Sequence, residues 1–314
     1  MILQSIKSVM SLILMMMVGF SVTRKPWFGK QGENFLSKLC IQVAIPLYMI
    51  VNVYETCGSR KELLNLLKYF PIPFGIIIFF IIVGFAVSRL MKIEKKRQGA
   101  FINVIGFSNT VFVGFPIVTA ILGEEALPMA MSYYIANTTL FWTVGAWLLR
   151  RDGGQEGSLF AKDNLKRSVS MPSVGFLTGI VLVAANVQIP DWIFNPVNQL
   201  GKMATPIAMI VIGSILRNID FRQMKMSRDL AVLLLNRFVA APALMMAILL
   251  PLPFNDIAKQ VYLILIIMPA MTQFGILAKE SGADYEFCTL LIAVTTVISM
   301  AVIPVYTLIL GMVF

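Results

Sequence analysis

Two sets of residues in this chain have the types and spacing to hold a small anion. The first is Asn109 and Thr110, followed by Pro116, in the apolar stretch AFINVIGFSNTVFVGFPIVTAILG (residues 100–123). The second is Pro269, followed by Thr272 and Gln273, in VYLILIIMPAMTQFGILAK (residues 261–279). Proline lacks a backbone N–H and clashes with the preceding turn, so each proline is expected to free a carbonyl and interrupt its helix. Amide side chains donate hydrogen bonds without carrying charge. The N-terminus of a half-helix favours a negative ligand such as a carboxylate. Asn137, in YYIANTTLFWT, and Arg237, in LLLNRFVAAPALM, add an amide and a cation inside apolar segments. For Asn137 the alternative to a substrate contact is an interhelical hydrogen bond. Arg237 either lends electrostatic support to an anion or reaches the cytoplasmic interface along its apolar stem. One proline alone would read as a kink. Two, in matching places and each near an amide, read as the paired broken helices of a secondary transporter.

Such residues need membrane-spanning helices to carry them. Of 314 residues, 58% are hydrophobic and only 13% charged, which points to an all-α polytopic membrane protein. Ten spans are expected near 2–22, 36–54, 69–91, 99–122, 126–149, 170–187, 202–217, 229–250, 257–279 and 285–312. The segment at 8–22 resembles a signal-peptide core, but Arg24, Lys25, Pro26 and Trp27 follow it without a small-residue cleavage site, so it is kept as the first span. Nineteen Lys and Arg residues fall in the odd-numbered loops and five on the opposite side. That bias puts the odd loops in the cytoplasm and both termini outside, in the cell membrane. The polar stretch RRDGGQEGSLFAKDNLKR (150–167) lies between two sets of five spans. It divides the chain into a first repeat at 1–149, a linker at 150–169 and a second repeat at 170–314. Five is odd, so the repeats have opposite orientations. IPLYMIV around Pro46 and TPIAMIV around Pro206 match at an offset of 160 residues, close to the 153 between Pro116 and Pro269.

Several functions are excluded by what is missing. There is no histidine, which removes Ser-His and Cys-His catalysis and the HExxH zinc site. Cys40, Cys57 and Cys288 have no metal-like spacing and read as buried inert thiols. No catalytic residue, metal or cofactor is therefore expected, and the chain does not read as an enzyme. The net charge of +10 lies in loops between spans and suits anionic lipid, not nucleic acid. All sixteen acidic residues fall in loops or at span ends. That favours an anion carrier over the alternative, a cation- or proton-coupled carrier of a non-carboxylate substrate, which normally needs a carboxylate at the span centre. The twenty methionines read as packing residues.

SNTVFVGFPIVTAILG (108–123) followed by GEE, NRFVAAPALM (236–245), IIMPAMTQFGILAKESGADYEF (266–287) and LCIQVAIPLYMIVNV (39–53) resemble the auxin efflux carrier family. The spacing is similar to that of plant PIN auxin exporters, with the short linker of the bacterial branch. The resemblance implies a fold like that of bile-acid symporters, with two inverted five-helix repeats and helices 4 and 9 crossing at Pro116 and Pro269. It implies a scaffold domain of helices 1, 2, 6 and 7, through which two copies pair, and a transport domain of helices 3–5 and 8–10. It also implies amide contacts to a small carboxylate, auxin-like or malate- or malonate-like, from Asn109 and Asn137. The residue after the ninth-span proline, polar in plant exporters, is Ala270 here. A reporter active only in the cytoplasm should be silent when fused to Phe314 and bright when inserted at Gly154; the reverse pattern would invert the topology.

Overall fold

The computed structural model describes residues 2–57, 59–155, 170–218 and 227–314. Residues 156–169, most of the expected linker, lie outside the described residues. Among the described residues there are helices and connecting turns and no strand. Six helical stretches are long and apolar enough to cross a membrane by length and composition, and Met10–Val22 and Met171–Ala184 are shorter apolar helices. The chain divides into two compact units.

Unit 1 comprises residues 1–70, 111–132 and 169–219. It contains α1 (Ile2–Val22), α2 (Gly29–Leu39), α3 (Ile45–Thr56), α4 (Arg60–Leu67), α7 (Phe115–Leu122), the start of α8 (Leu127–Leu140), α10 (Met171–Ala184), α11 (Asp191–Lys202) and α12 (Ala204–Arg217). Its largest helix contacts are α1 on α12 and α10 on α3. Both depend on glycine. A Cβ at Gly213 would lie 1.9 Å from the Met16 carbonyl oxygen, and one at Gly175 would lie 2.3 Å from that of Pro46. Small residues let apolar helices meet backbone to backbone, where dispersion and packing replace the hydrophobic drive that lipid removes. Polar ties complete the unit. The Tyr48 hydroxyl and Asn52 Nδ2 both donate to the Glu124 carboxylate, and Asn52 also donates to the Glu124 carbonyl at 3.0 Å. Glu33 is buried but fully engaged: Lys30 Nζ (2.6 Å), Ser214 Oγ (2.7 Å) and Asn218 Nδ2 (3.1 Å) all reach its carboxylate.

Unit 2 comprises residues 71–110, 133–168 and 220–314. It contains α5 (Pro71–Leu90), α6 (Lys95–Gly106), the rest of α8, α9 (Ala146–Asp152), α13 (Arg228–Leu235), α14 (Ala241–Leu249), α15 (Asp256–Ile266), α16 (Thr272–Ser281) and α17 (Tyr285–Val313). Unlike unit 1, it has two places where helix gives way to extended backbone: residues 107–109, after α6, and residues 267–271, between α15 and α16.

The prolines behave in two ways. Pro269 lies inside the second interruption. Pro116, expected to break the fourth span, does not: it rides in the first turn of α7, two residues after a π-helical turn at Thr110–Gly114. Pro46 and Pro242 follow π-helical turns at Cys40–Ala44 and Asn236–Ala240 in the same register. A π turn is wider than an α turn, so the ring avoids the carbonyl it would otherwise strike and the helix continues. The first interruption therefore lies seven to nine residues before Pro116. Gly213→Ala should cost about 1–3 kcal/mol by forcing α1 and α12 apart. Its melting temperature should fall, whereas Gly75→Ala, whose Cβ would meet nothing within 4 Å, should not lower it.

Candidate functional site

The two interruptions of unit 2 are joined directly. The Asn109 N–H donates to the Pro269 carbonyl at 2.8 Å. Backbone that leaves the helix inside an apolar interior must find other partners for its polar groups, and each interruption has a side chain that provides them. Asn137, fully buried on α8, accepts from Ser108 N through Oδ1 (3.1 Å) and donates to Ser108 O through Nδ2 (3.0 Å). Its Nδ2 also lies 3.5 Å from the Met271 sulfur. On α17, Thr295 Oγ1 accepts from Ala270 N (3.1 Å) and donates to Leu291 O (2.7 Å). Asn137 and Thr295 thus do the same work one repeat apart.

Arg237 ties both interruptions to one charge. It stands in the π turn before Pro242 and is completely buried, so its side chain does not reach an interface. Nη1 donates to Val104 O (2.5 Å) and Ile105 O (3.2 Å) at the end of α6. Nη2 donates to Ser108 Oγ (2.7 Å) and Met268 O (2.5 Å), and Nε donates to Met268 O (3.2 Å). Two helices therefore end on one guanidinium. Each helix C-terminus carries roughly half a negative elementary charge, so two ends together match one cation. The Tyr133 ring, also fully buried, stacks on Tyr262 at 6.1 Å, and its hydroxyl lies beside Ser108 and Arg237.

Of the residues singled out from sequence, Asn109, Thr110, Asn137, Arg237 and Pro269 come together at these interruptions. The Thr110 hydroxyl is buried without a hydrogen-bond partner in the structure. Thr272 and Gln273 form the first turn of α16, half-buried, and Met271 before them provides no side-chain cap. Pro116 falls in unit 1. Ser108 and Thr295 carry as much of the geometry and were not among the expected site residues. A threonine in an apolar helix that bonds its own preceding turn leaves no sequence signal. Ser108 stood in view beside Asn109, but its role depends on its backbone.

The family model described as membrane transport protein matches residues 4–307. Across 98% of both chains, the sequence is 24% identical to an uncharacterized transporter of Methanothermobacter thermautotrophicus. It is 22% identical to an uncharacterized transporter of Methanocaldococcus jannaschii, over 95% of this chain and 96% of that one.

Replacing Arg237 separates its two aspects. Arg237→Ala leaves several buried carbonyls unpaired and should cost about 3–5 kcal/mol of stability. Arg237→Lys keeps the charge but loses the planar fork, so its melting temperature should fall between those of wild type and Arg237→Ala. A Lys variant as stable as wild type would show that charge alone suffices.

Proposed function

Because the chain belongs to the membrane transport protein family, we propose that it is a secondary carrier of small organic anions. The substrates are carboxylates of the auxin, malate or malonate kind, moved by elevator-type alternating access. The chain has ten spans in two inverted five-helix repeats joined by the linker at 150–169, lies in the cell membrane and has both termini outside. Unit 1 serves as the scaffold through which two copies pair, and unit 2 is the moving part that carries the substrate.

The observation that carries this reading is the pair of interruptions meeting in unit 2 at the Asn109–Pro269 hydrogen bond. Their helix C-termini are already neutralised by Arg237. The exposed electrostatic feature is then the uncapped first turn of α16, whose N–H groups and the side chains of Thr272 and Gln273 favour an anion. A cation at the same place would meet a fixed guanidinium. The inverted repeats draw support from two sets of paired positions. Asn137 and Thr295 are 158 residues apart, and the backbones they hold, at Ser108 and Ala270, are 162 apart. Likewise α1 packs on α12 while α10 packs on α3, an exchange that two-fold-related repeats produce.

Purified protein in proteoliposomes should take up a mono- or dicarboxylate saturably, from a panel tested with ion gradients imposed singly. Asn109→Ala should weaken affinity for that substrate about tenfold or more, the loss of one hydrogen bond to a charge. Uptake of cations but of no carboxylate would reject the reading.

A further inference from the structure

Asp152 ends α9, three residues beyond the fifth expected span. Its side chain has no exposed surface. Oδ2 accepts from Ala100 N on α6 at 3.0 Å. Oδ1 has no hydrogen-bond partner in the structure, and the nearest cationic atom is Arg151 Nη2 at 3.6 Å. There is no slack around it. A Cβ at Gly99 would lie 2.7 Å from Oδ2 and 2.5 Å from the Leu148 carbonyl oxygen. A Cβ at Gly153 would lie 1.9 Å from the Ser281 carbonyl oxygen, so α9 is also pressed against the end of α16. The contrast with Glu33, the other buried carboxylate among the described residues, is direct: there each oxygen is engaged by a donor.

An ionised carboxylate with one oxygen buried and unpaired is costly, and taking up a proton is the cheapest relief. We propose that Asp152 is a proton-binding site of unit 2, loaded and unloaded near neutral pH at the junction of α6 and α9. The groups facing it agree with this. α9 itself provides Arg151, with half-buried Arg150 before it, and α6 presents backbone N–H groups. α17 presents the buried Cys288 thiol, while Asp284 farther out is paired with Arg97 at 2.7 Å. α16 presents the Ser281 carbonyl; its Lys279 and Glu280 are exposed. Burial pushes the Asp152 carboxyl up to about 6, against the opposing pull of the Ala100 N–H and Arg151. A proton here cancels the one buried charge between α6 and α9, and α6 is the helix whose end forms the first interruption.

The sign of the effect is fixed. The carboxyl binds its proton more tightly in the folded chain than in the unfolded one. Its stabilising contribution is therefore complete below the unfolded value of about 4 and is lost as pH rises through about 6. The test uses the whole purified chain in detergent and assumes nothing about transport, so its failure would leave the carrier reading intact. Infrared difference spectra taken across that window should show a protonated-carboxyl band that disappears in Asp152→Asn. The melting temperature of wild type relative to Asp152→Asn should rise as pH falls through the same window. An unchanged band, or parallel melting profiles, overturns the proposal. Should Asp152→Asn fail to fold, Arg151→Ala decides: removing that cation should move the midpoint of the infrared titration to higher pH, and an unmoved midpoint overturns the proposal.

Discussion

A guanidinium with no exposed surface is among the costliest groups to bury, because its hydration must be replaced entirely by fixed dipoles. In unit 2 the replacement comes from main-chain carbonyls at two helix ends and one serine hydroxyl, not from a carboxylate. This constraint sets much else. α6 and α15 must end where they do for their last carbonyls to reach Arg237. Arg237 must face inward, which the π turn ahead of Pro242 arranges. The extended residues that follow each helix must then be held by other means. Asn137 and Thr295 hold them, one per interruption.

This division of labour explains how irregular backbone persists in an apolar interior. The interruptions at 107–109 and 267–271 have their polar groups matched by named partners: Ser108 by Asn137, Asn109 N by Pro269 O, Met268 O by Arg237, and Ala270 N by Thr295. Each lost helical bond has a substitute, so the strain of leaving the helix falls on conformational entropy and not on unpaired dipoles. Unit 1 solves a simpler problem. Its helices are held by glycine approaches at Gly213 and Gly175 and by polar ties to Glu33 and Glu124.

Much of this was legible in the sequence. Hydropathy marks the helices well, because twenty consecutive apolar residues leave few alternatives. Pro269 marks the second interruption because nothing upstream absorbs it. Pro116 misleads for the same physical reason seen from the other side: a π turn at Thr110–Gly114 makes room for the ring, and no residue type announces such a turn. Asn137 and Arg237 stand out because amides and cations are rare in apolar segments. Thr295 does not, because its hydroxyl is at home bonding its own helix. Asp152 reads from sequence as an ordinary loop residue. Only the closeness of Gly99 and Gly153 to their neighbours reveals that it is enclosed.

At Val104, Ile105, Met268, Pro269 and Ala270, what the interruptions use is the peptide unit, which every residue possesses. The side chains at these positions are thus spared the task of maintaining the architecture. Their size and polarity can drift through substitution while the carbonyls stay on Arg237 and the extended backbone keeps its path. A handful of holders, Arg237, Asn137 and Thr295 among them, bear the structural burden for many neighbours. A scaffold arranged this way can be re-tailored to new cargo one side chain at a time, without rebuilding the place where the chain leaves the helix.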